Sequence, residues 1–200
     1  MLADEKVGFK ETMKTKLVLL STFLSVFGLI GSAGFNPVSA QTGKQTTAKE
    51  KAALTQLVLQ DKEVKEAMTG DTSPSVGDIT EGVTVKKIDL NKDGQPEYLV
   101  SLQPFLCGVT GNCLTWVYRK TGDEYHLLLL TSGRHLLLEK TSTGRFRDLR
   151  MEAGNSADKQ DFSIYKFDGN KYLARVCYTQ TYSGKGQKLK ITRWKCGDSQ

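Results

Sequence analysis

The sequence predicts a mainly β protein of the α+β class, in which a helical segment precedes a series of antiparallel β-hairpins. Apolar side chains recur at helical spacing between Thr47 and Met68. From residue 83 onward, short apolar runs alternate with turns rich in glycine, aspartate and asparagine. The chain therefore divides into residues 1–40 as a leader, 41–80 as a helical segment with a linker, and 81–200 as a β-rich domain.

Residues 1–40 have the composition of a signal peptide with a short upstream extension. Lys14 and Lys16 form a basic head, and a long apolar body follows. Val38 and Ala40 then supply the small side chains that signal peptidase requires at its cleavage site. We therefore expect cleavage after Ala40 and a periplasmic or secreted mature protein.

A retained membrane anchor is the alternative, because the apolar body is about long enough to span a bilayer. Serine, threonine and glycine dilute that body, and no cysteine lies near the cleavage site to carry a lipid. Cleavage would leave residues 41–200, which suffice for one domain with its own core and include no further stable membrane span.

The charge of the mature chain is mildly basic. The full sequence holds 28 basic and 22 acidic residues, of which the leader contains four and three, so residues 41–200 carry a net charge of +5. This excess is compatible with an anionic envelope surface, but the basic residues are scattered and predict no nucleic-acid partner. The local concentration from Lys185 to Lys195 is explained by a solvated hairpin face.

Four cysteines lie in the exported part, and an even count in an oxidising compartment favours two disulfides. Three pairings are possible, and locality favours Cys107 with Cys113 and Cys177 with Cys196. The chain-entropy model gives these loops about 2.4 and about 3.3 kcal/mol of stabilisation. A zinc site is the alternative, although paired C-x-x-C spacings are missing from the sequence.

The helical segment has an internal break. Asp61 interrupts the apolar stripe and is placed to cap a second short helix, and Gly70 ends that helix. Residues 71–78, rich in serine, threonine, proline and glycine, are predicted to form a linker.

Nine strands are predicted in the β-rich part, and the Asp168-Gly169 turn is the strongest hairpin signal among them. The predicted strands cover residues 83–90, 97–102, 114–120, 124–130, 135–139, 145–151, 162–167, 171–178 and 189–195.

A weak internal repeat joins two of these hairpins. Residues 117–125 (VYRKTGDEY) align with residues 164–172 (IYKFDGNKY), and a single strand containing an acid and a leucine precedes each copy. Two units of one strand plus one hairpin would form adjacent, propeller-blade-like antiparallel sheets. The alternative is that any two Tyr-turn-Tyr hairpins look alike.

The segment IDLNKDGQPEYLV at residues 88–100 places oxygen-bearing side chains at alternate positions. Asp89, Asn91 and Asp93 fall at positions 1, 3 and 5 of a calcium-type loop, with Gly94 at position 6. Position 12 is Val100, so the bidentate glutamate of an EF-hand is missing.

This D-x-N-x-D-G-x-x-E segment resembles the strand-joining loop of FG-GAP/VCBS-type repeats, and it is also similar to that of a group of uncharacterised exported bacterial proteins. Such loops often hold Ca²⁺, and the resemblance implies a ligand set in this chain. The implied ligands are Asp89, Asn91, Asp93, the carbonyl of Gln95, and Glu97. The second repeat unit lacks an acidic triplet, so the resemblance does not extend to a full calcium-loaded propeller.

An ordinary turn is the alternative for this loop. Asn91 and Asp93 would then bond local backbone amides, and Gly94 would take the left-handed conformation. Lys86, Lys87 and Lys92 offset part of the negative charge, so any calcium affinity should be weak, on the order of 10⁻⁴–10⁻³ M.

No catalytic motif is recognisable. The chain has no G-x-S-x-G, no HExxH and no phosphate loop, and His126 and His135 sit in leucine-rich runs as expected at edges of apolar strands. The acids could supply a carboxylate pair, but the sequence does not single one out. Aromatics on the hairpins suit glycan or protein contact, with cross-strand packing as the alternative. These aromatics are Tyr118, Tyr125, Tyr165, Tyr172, Tyr178, Tyr182 and Trp194.

We therefore expect an exported, non-catalytic binding protein of the cell envelope, with an unidentified envelope protein or glycan as partner and weak structural Ca²⁺ as its cofactor. The first alternative is an inhibitor of an envelope hydrolase that fills the active-site cleft with the Cys107–Cys113 loop. The second is a hydrolase with no recognisable motif.

Overall fold

A computed structural model describes residues 45–71, 73–107, 109–183 and 188–197, apart from the side chain of Lys188. The predicted leader, its cleavage after Ala40 and the alternative of a retained anchor lie outside these residues. No helix within the described ranges is long and apolar enough to cross a membrane.

Two helices at the start of the described chain meet at one residue, as predicted. Helix α1 (Ala48–Gln60) is followed at once by α2 (Lys62–Ala67), and Asp61 between them ends the first helix and caps the second. The Asp61 carboxylate accepts the Glu63 amide at 2.9 Å. Thr47 and Glu50 form a capping box at the start of α1, which fixes where that helix begins.

The prediction of a linker over residues 71–78 was wrong at its end. Helix α3 (Val76–Gly82) begins there, because Ser75 and Asp78 form a second capping box. Its buried residue Ile79 packs in the same core as α1 and α2. Serine and aspartate are residues of turns and of helix caps alike, so local composition did not distinguish the two.

All nine predicted strands are present, and most are longer than predicted. They form two antiparallel meanders, in which neighbours along the chain are neighbours in the sheet. The first sheet contains β1 (Val83–Ile88), β2 (Glu97–Leu102), β3 (Cys113–Thr121) and β4 (Glu124–Gly133). The second sheet contains β5 (His135–Thr143), β6 (Phe146–Ser156), β7 (Lys159–Phe167), β8 (Tyr172–Ser183) and β9 (Lys188–Trp194). A short 3-10 turn (Pro104–Leu106) lies between β2 and β3.

The first sheet is covered on both faces. Trp116 and Tyr118 on β3 pack with the helices in one buried cluster, which includes Leu54 and Val58 of α1. Val117, between them, points to the opposite face because side chains alternate along a strand, and it packs against the second sheet. The order of layers is therefore helices, four-stranded sheet, five-stranded sheet.

Polar contacts fix the helices to the first sheet. The Trp116 indole donates to the Asp61 carboxylate at 3.1 Å. The Glu50 carboxylate accepts the Tyr98 hydroxyl at 2.7 Å and pairs with the Lys87 ammonium at 2.8 Å. Burial alone would raise the pKa of Glu50, but the hydrogen bonds from Lys87, Thr47 and Tyr98 outweigh it and lower that pKa to about 2. The predicted helical segment thus packs into the same core as the first sheet.

The chain passes from one sheet to the other at Gly133, with a single residue, Arg134, before β5 begins. A Cβ atom on Gly133 would lie 2.7 Å from the backbone carbonyl oxygen of Glu152 and would overlap the Met151 side chain, so only glycine fits this close approach of β4 to β6. The Arg134 amide donates to the Glu152 carbonyl at 2.7 Å and holds the corner.

The two predicted repeat units occupy matching places, β2–β4 in the first sheet and β6–β8 in the second. Each hairpin has one register shift, between Val117 and Tyr118 in the first and between Ile164 and Tyr165 in the second. These pairs are aligned with each other in the repeat, so the two hairpins also share the position of a β-bulge. A propeller-like arrangement of the units stays a prediction.

Candidate functional site

The predicted calcium-type segment connects β1 to β2; we call residues 89–97 the 89–97 loop. Lys92 (φ 60°) and Gly94 (φ 82°) both take the left-handed conformation, which turns the chain back on itself. The Leu90 carbonyl accepts the Arg147 amide of β6 at 2.8 Å. The 89–97 loop therefore lies where the first sheet meets strand β6 of the second.

Three side chains of the loop bond to its own backbone. Asp89 accepts the Gly94 amide at 3.0 Å, Asn91 accepts the Asp93 amide at 3.0 Å, and Asp93 accepts the Gln95 amide at 2.7 Å. The Asn91 amide also donates to the second oxygen of Asp93 at 2.7 Å. This is the hydrogen-bonded turn that the ion-free alternative requires.

Glu97 is the buried member of the predicted ligand set. Its side chain is 1% exposed, and one oxygen accepts the Leu90 amide at 2.9 Å. It lines a cavity of about 30 Å³ between the sheets with apolar neighbours that include Leu99 and Leu149. Burial raises the pKa of Glu97 to about 7, and the nearby carboxylates of Asp93 and Asp89 contribute to the rise.

One carboxylate oxygen of the loop lacks a partner. Asp89 Oδ1 is buried and accepts no hydrogen bond in the described part of the chain. A cation beside it would provide that partner and would offset the repulsion among Asp89, Asp93 and Glu97. The side chains as they lie have not converged, because the described residues contain no group of three acidic, histidine or cysteine side chains close enough to hold a metal. Binding would require the Asn91–Asp93 contact to open.

Sequence reasoning missed a second buried carboxylate, Asp148 on β6, which is 1% exposed. The hydroxyls of Thr141 and Thr143 each donate to it at 2.7 Å, and the Lys166 ammonium lies 3.8 Å away. The alternation of Thr141 and Thr143 on one strand was a signal that they share a face. Their partner was hidden, because the register of β5 on β6 shifts between Leu138 and Ser142.

Both predicted disulfides are present. Cys107 pairs with Cys113 and Cys177 with Cys196, and no cysteine is free. The zinc alternative was therefore wrong, because no thiolate remains to bind the metal.

The Cys107–Cys113 loop is braced from outside. The Asn112 side chain donates to the Gly154 carbonyl at 2.9 Å and accepts the Gly154 amide at 2.8 Å. The Arg134 guanidinium donates to the Thr110 carbonyl at 3.0 Å. Val109 points fully into solvent (106% exposed), and Phe105 beside the loop is 65% exposed. The element is thus a fixed projection with an apolar tip.

The aromatics predicted on the hairpins divide into two groups. Tyr118, Tyr165 and Tyr172 are buried, as cross-strand packing requires, whereas Tyr182 and Trp194 are exposed. Tyr125 and Tyr178 are half-buried, and Tyr178 stacks on Phe162 with ring centroids 4.9 Å apart. Both exposed aromatics belong to the last hairpin, β8–β9.

The histidines weighed for acid/base chemistry lie on strands β4 and β5 and are exposed. His126 Nε2 is 3.9 Å from a Glu124 oxygen, and His135 faces Glu152 across the β5–β6 ladder. Neither lines the cavity that contains Glu97.

Comparison with protein-family models, with curated proteins and with solved structures gave no match.

Proposed function

We propose that this chain is an exported, non-catalytic binding protein of the cell envelope that makes its contacts through two disulfide-closed elements. The observation that carries the proposal is the position of its exposed apolar side chains. Of ten large apolar side chains exposed in the described residues, six lie in or beside these elements. They are Phe105 and Val109 at the first, and Tyr182, Leu189, Ile191 and Trp194 at the second.

Export is supported by the covalent structure. Two disulfides are typical of small domains that fold in an oxidising compartment, and they are rare in the reducing cytosol. The predicted leader is consistent with that compartment. The disulfides also hold the bases of the projecting elements, so that less conformational entropy is lost when a partner binds.

Ca²⁺ in the 89–97 loop is a structural part of the proposal. Asp89, Asp93 and Glu97 would bind it with carboxylate oxygens, and Asn91 and the Gln95 carbonyl would complete the set. The support is the partnerless oxygen of Asp89 and the buried carboxylate of Glu97. Because Leu90 also bonds to β6, an ion here would strengthen the junction of the two sheets.

The proposal can be tested by site-specific photo-crosslinking in the native host. A photoreactive residue at Leu189 should give an adduct in the envelope, whereas the same residue at Val76, an exposed apolar position on α3, should give none. The purified protein should contain no free thiol. Reduced thiols, or equal crosslinking at the two positions, would overturn the proposal.

A second candidate, inhibition of an envelope hydrolase, is favoured by the braced loop with Val109 at its tip. A rigid apolar projection is suited to filling a cleft, because its ordering entropy has been lost before binding. Val109→Asp should then abolish inhibition of the hydrolase, and Leu189→Ser should leave it unchanged. Inhibition that persists in Val109→Asp would exclude this use of the loop.

A further inference from the structure

The last hairpin has one apolar face that nothing in the described chain covers. We call residues 178–183 of β8 and 188–194 of β9 the hairpin arm. Across its ladder Tyr182 faces Leu189, and Gln180 faces Ile191, so these four side chains share one face. Tyr182, Leu189 and Ile191 are 44%, 48% and 56% exposed. Thr181 and Lys190 form a pair on the opposite face, so the arm is amphipathic.

The charges of the arm and of the residues next to it along the chain have a single sign. Residues 169–197 contain no aspartate or glutamate and seven basic residues. The basic residues in or next to β9, Lys190, Arg193 and Lys195, are exposed, and none of them forms an ion pair within the described residues. The nearest acids across the sheet are Asp158, in the β6–β7 turn beside Tyr182, and Asp161 on β7, and Asp161 accepts hydrogen bonds from Thr179 and Asn155.

Exposed aliphatic side chains beside unpaired cations match the chemistry of an anionic bilayer surface. A soluble polyanion would satisfy the cations but would leave Leu189 and Ile191 in water. A lipid interface satisfies both, because apolar side chains enter the acyl boundary while basic ones attract the headgroups. The face opposite the apolar one is close enough to contribute, since the surface potential extends about 8 Å at physiological ionic strength.

We propose that the hairpin arm is a peripheral membrane-binding element that places Tyr182, Leu189 and Ile191 into an anionic bilayer, with Lys190, Arg193 and Lys195 at the headgroups. This inference rests on the proposed binding function and names its partner. Trp194, exposed at the base of the arm, would lie at the headgroup level, where tryptophan side chains are enriched.

The test is co-sedimentation of the oxidised chain with vesicles of phosphatidylcholine alone and of phosphatidylcholine with 30% phosphatidylglycerol. We expect at least tenfold tighter binding to the anionic vesicles, weakening between 50 and 200 mM salt. Lys190→Glu with Arg193→Glu should reduce binding by about 25-fold or more, since each basic residue near such a surface contributes roughly fivefold. Lys51→Glu with Lys65→Glu, equal in net charge but on the helices, should reduce it by less than about threefold.

A second pair of double variants tests the contribution of apolar side chains to vesicle binding. Leu189→Ser with Ile191→Ser should weaken binding about tenfold even at low salt, whereas Val76→Ser with Leu127→Ser, at exposed apolar positions outside both disulfide-closed elements, should not. The chain has two tryptophans, of which Trp116 is fully buried, so a blue shift of fluorescence on adding anionic vesicles reports Trp194. Trp194→Phe should abolish that shift without loss of the fold, which far-ultraviolet circular dichroism checks for every variant.

The possible results distinguish failure of the membrane inference from failure of the proposed binding function. Equal binding to both vesicles, or equal loss in the arm and helix charge variants, overturns the membrane inference. A Leu189 crosslink to a protein or glycan without vesicle binding also overturns it, but leaves the proposed binding function intact. Absence of both the crosslink and vesicle binding overturns both. Should the charge variant fail to fold, the salt dependence and the fluorescence shift of the wild-type chain decide.

Discussion

Two Asp-Gly turns of this molecule use the same residue types and satisfy them differently. At the β7–β8 turn, one oxygen of Asp168 accepts the amides of Asn170 and Lys171, each at 2.8 Å. The hydrogen bonds from Lys171 and Asn170 lower the pKa of this exposed carboxyl. In the 89–97 loop, an oxygen of Asp89 is buried without a partner, and the pKa of Glu97 is raised to about 7.

The Asp-Gly pattern thus indicates a turn in both regions, whereas the burial of carboxylates beside the turn distinguishes the 89–97 loop. Asp168 works as a local hydrogen-bond acceptor, and its turn is complete without a ligand. Glu97 is held between two sheets near two other carboxylates, an arrangement that costs free energy unless a proton or a cation offsets it.

Truncation of an acidic side chain should lower the free energy of unfolding far more at the 89–97 loop than at the β7–β8 turn. At pH 5, where Glu97 is mainly protonated, Glu97→Ala should lower the free energy of unfolding by about 3 kcal/mol, because it enlarges the cavity and leaves the buried Leu90 amide without an acceptor. Asp168→Ala removes only exposed hydrogen bonds and should lower it by much less. Urea denaturation measures both.

Glu97→Gln is the control for that comparison. Its side-chain carbonyl can still accept the Leu90 amide and fill the same space, so the loss at pH 5 should stay within about 1 kcal/mol. Equal losses for Glu97→Ala and Asp168→Ala would show that the two turns contribute alike, and the distinction between them would fail.

The pH dependence of stability should show the same contrast in a chelator-containing buffer. The pKa of Glu97 is about 7 in the folded chain and 4.5 in the reference state. The folded chain therefore holds this proton more tightly, and the stabilisation is complete below pH 4.5 and is lost as the pH rises through 7. The free energy of unfolding should fall by about 2 kcal/mol between pH 5 and pH 7.

This decrease should disappear in Glu97→Gln and persist in Asp168→Asn. The carboxyls with lowered pKa, such as Glu50 at about 2, lose their contribution only as the pH falls below 4.5, outside this window. An identical slope in the wild type and in Glu97→Gln would mean that Glu97 titrates normally.

The fold was predictable where its signals are local. Alternation of apolar residues and the Asp168-Gly169 turn indicate hairpins within a few residues, and short loops bring paired cysteines together. Helix α3 was missed because the residue types of Ser75 and Asp78 are as typical of linkers as of helix caps. The end of β6 and the start of β7 were missed too, since residues 153–160 carry almost no apolar side chains and owe their strand structure to pairing with neighbouring strands.

The site was predictable only as a list of residues. The spacing of Asp89, Asn91 and Asp93 indicates a turn with inward oxygens, and the structure has that turn. The burial of Glu97 depends on the second sheet, which lies far along the chain. Likewise, the exposure of an aromatic side chain depends on whether its strand lies near the sheet edge. Local sequence patterns do not indicate the position of a strand in the sheet.

Calcium should also distinguish the two turns. Its expected stabilisation of the fold is about half the loss expected for Glu97→Ala. At ten times the dissociation constant, Ca²⁺ would stabilise the fold by about 1.4 kcal/mol, which is a rise of roughly 3–6 °C in melting temperature. Asp89→Asn should abolish the rise, and Asp168→Asn should preserve it. Calorimetry with Ca²⁺ and with chelator measures the effect, and equal melting temperatures in the two conditions would contradict a calcium site.

The smallest expected effect concerns Lys92, whose positive charge lies within the 89–97 loop. Asparagine tolerates the left-handed conformation that Lys92 adopts at φ 60°, so Lys92→Asn should change the calcium-free stability by less than about 0.5 kcal/mol. Removing the charge should tighten Ca²⁺ binding about twofold to threefold, the size expected for charges several ångströms apart in water. Lys51→Asn on α1 removes the same charge far along the chain, and titration calorimetry should find its affinity unchanged. Equal tightening in both variants would assign the effect to net charge, and the 89–97 loop would then not differ electrostatically from the rest of the surface.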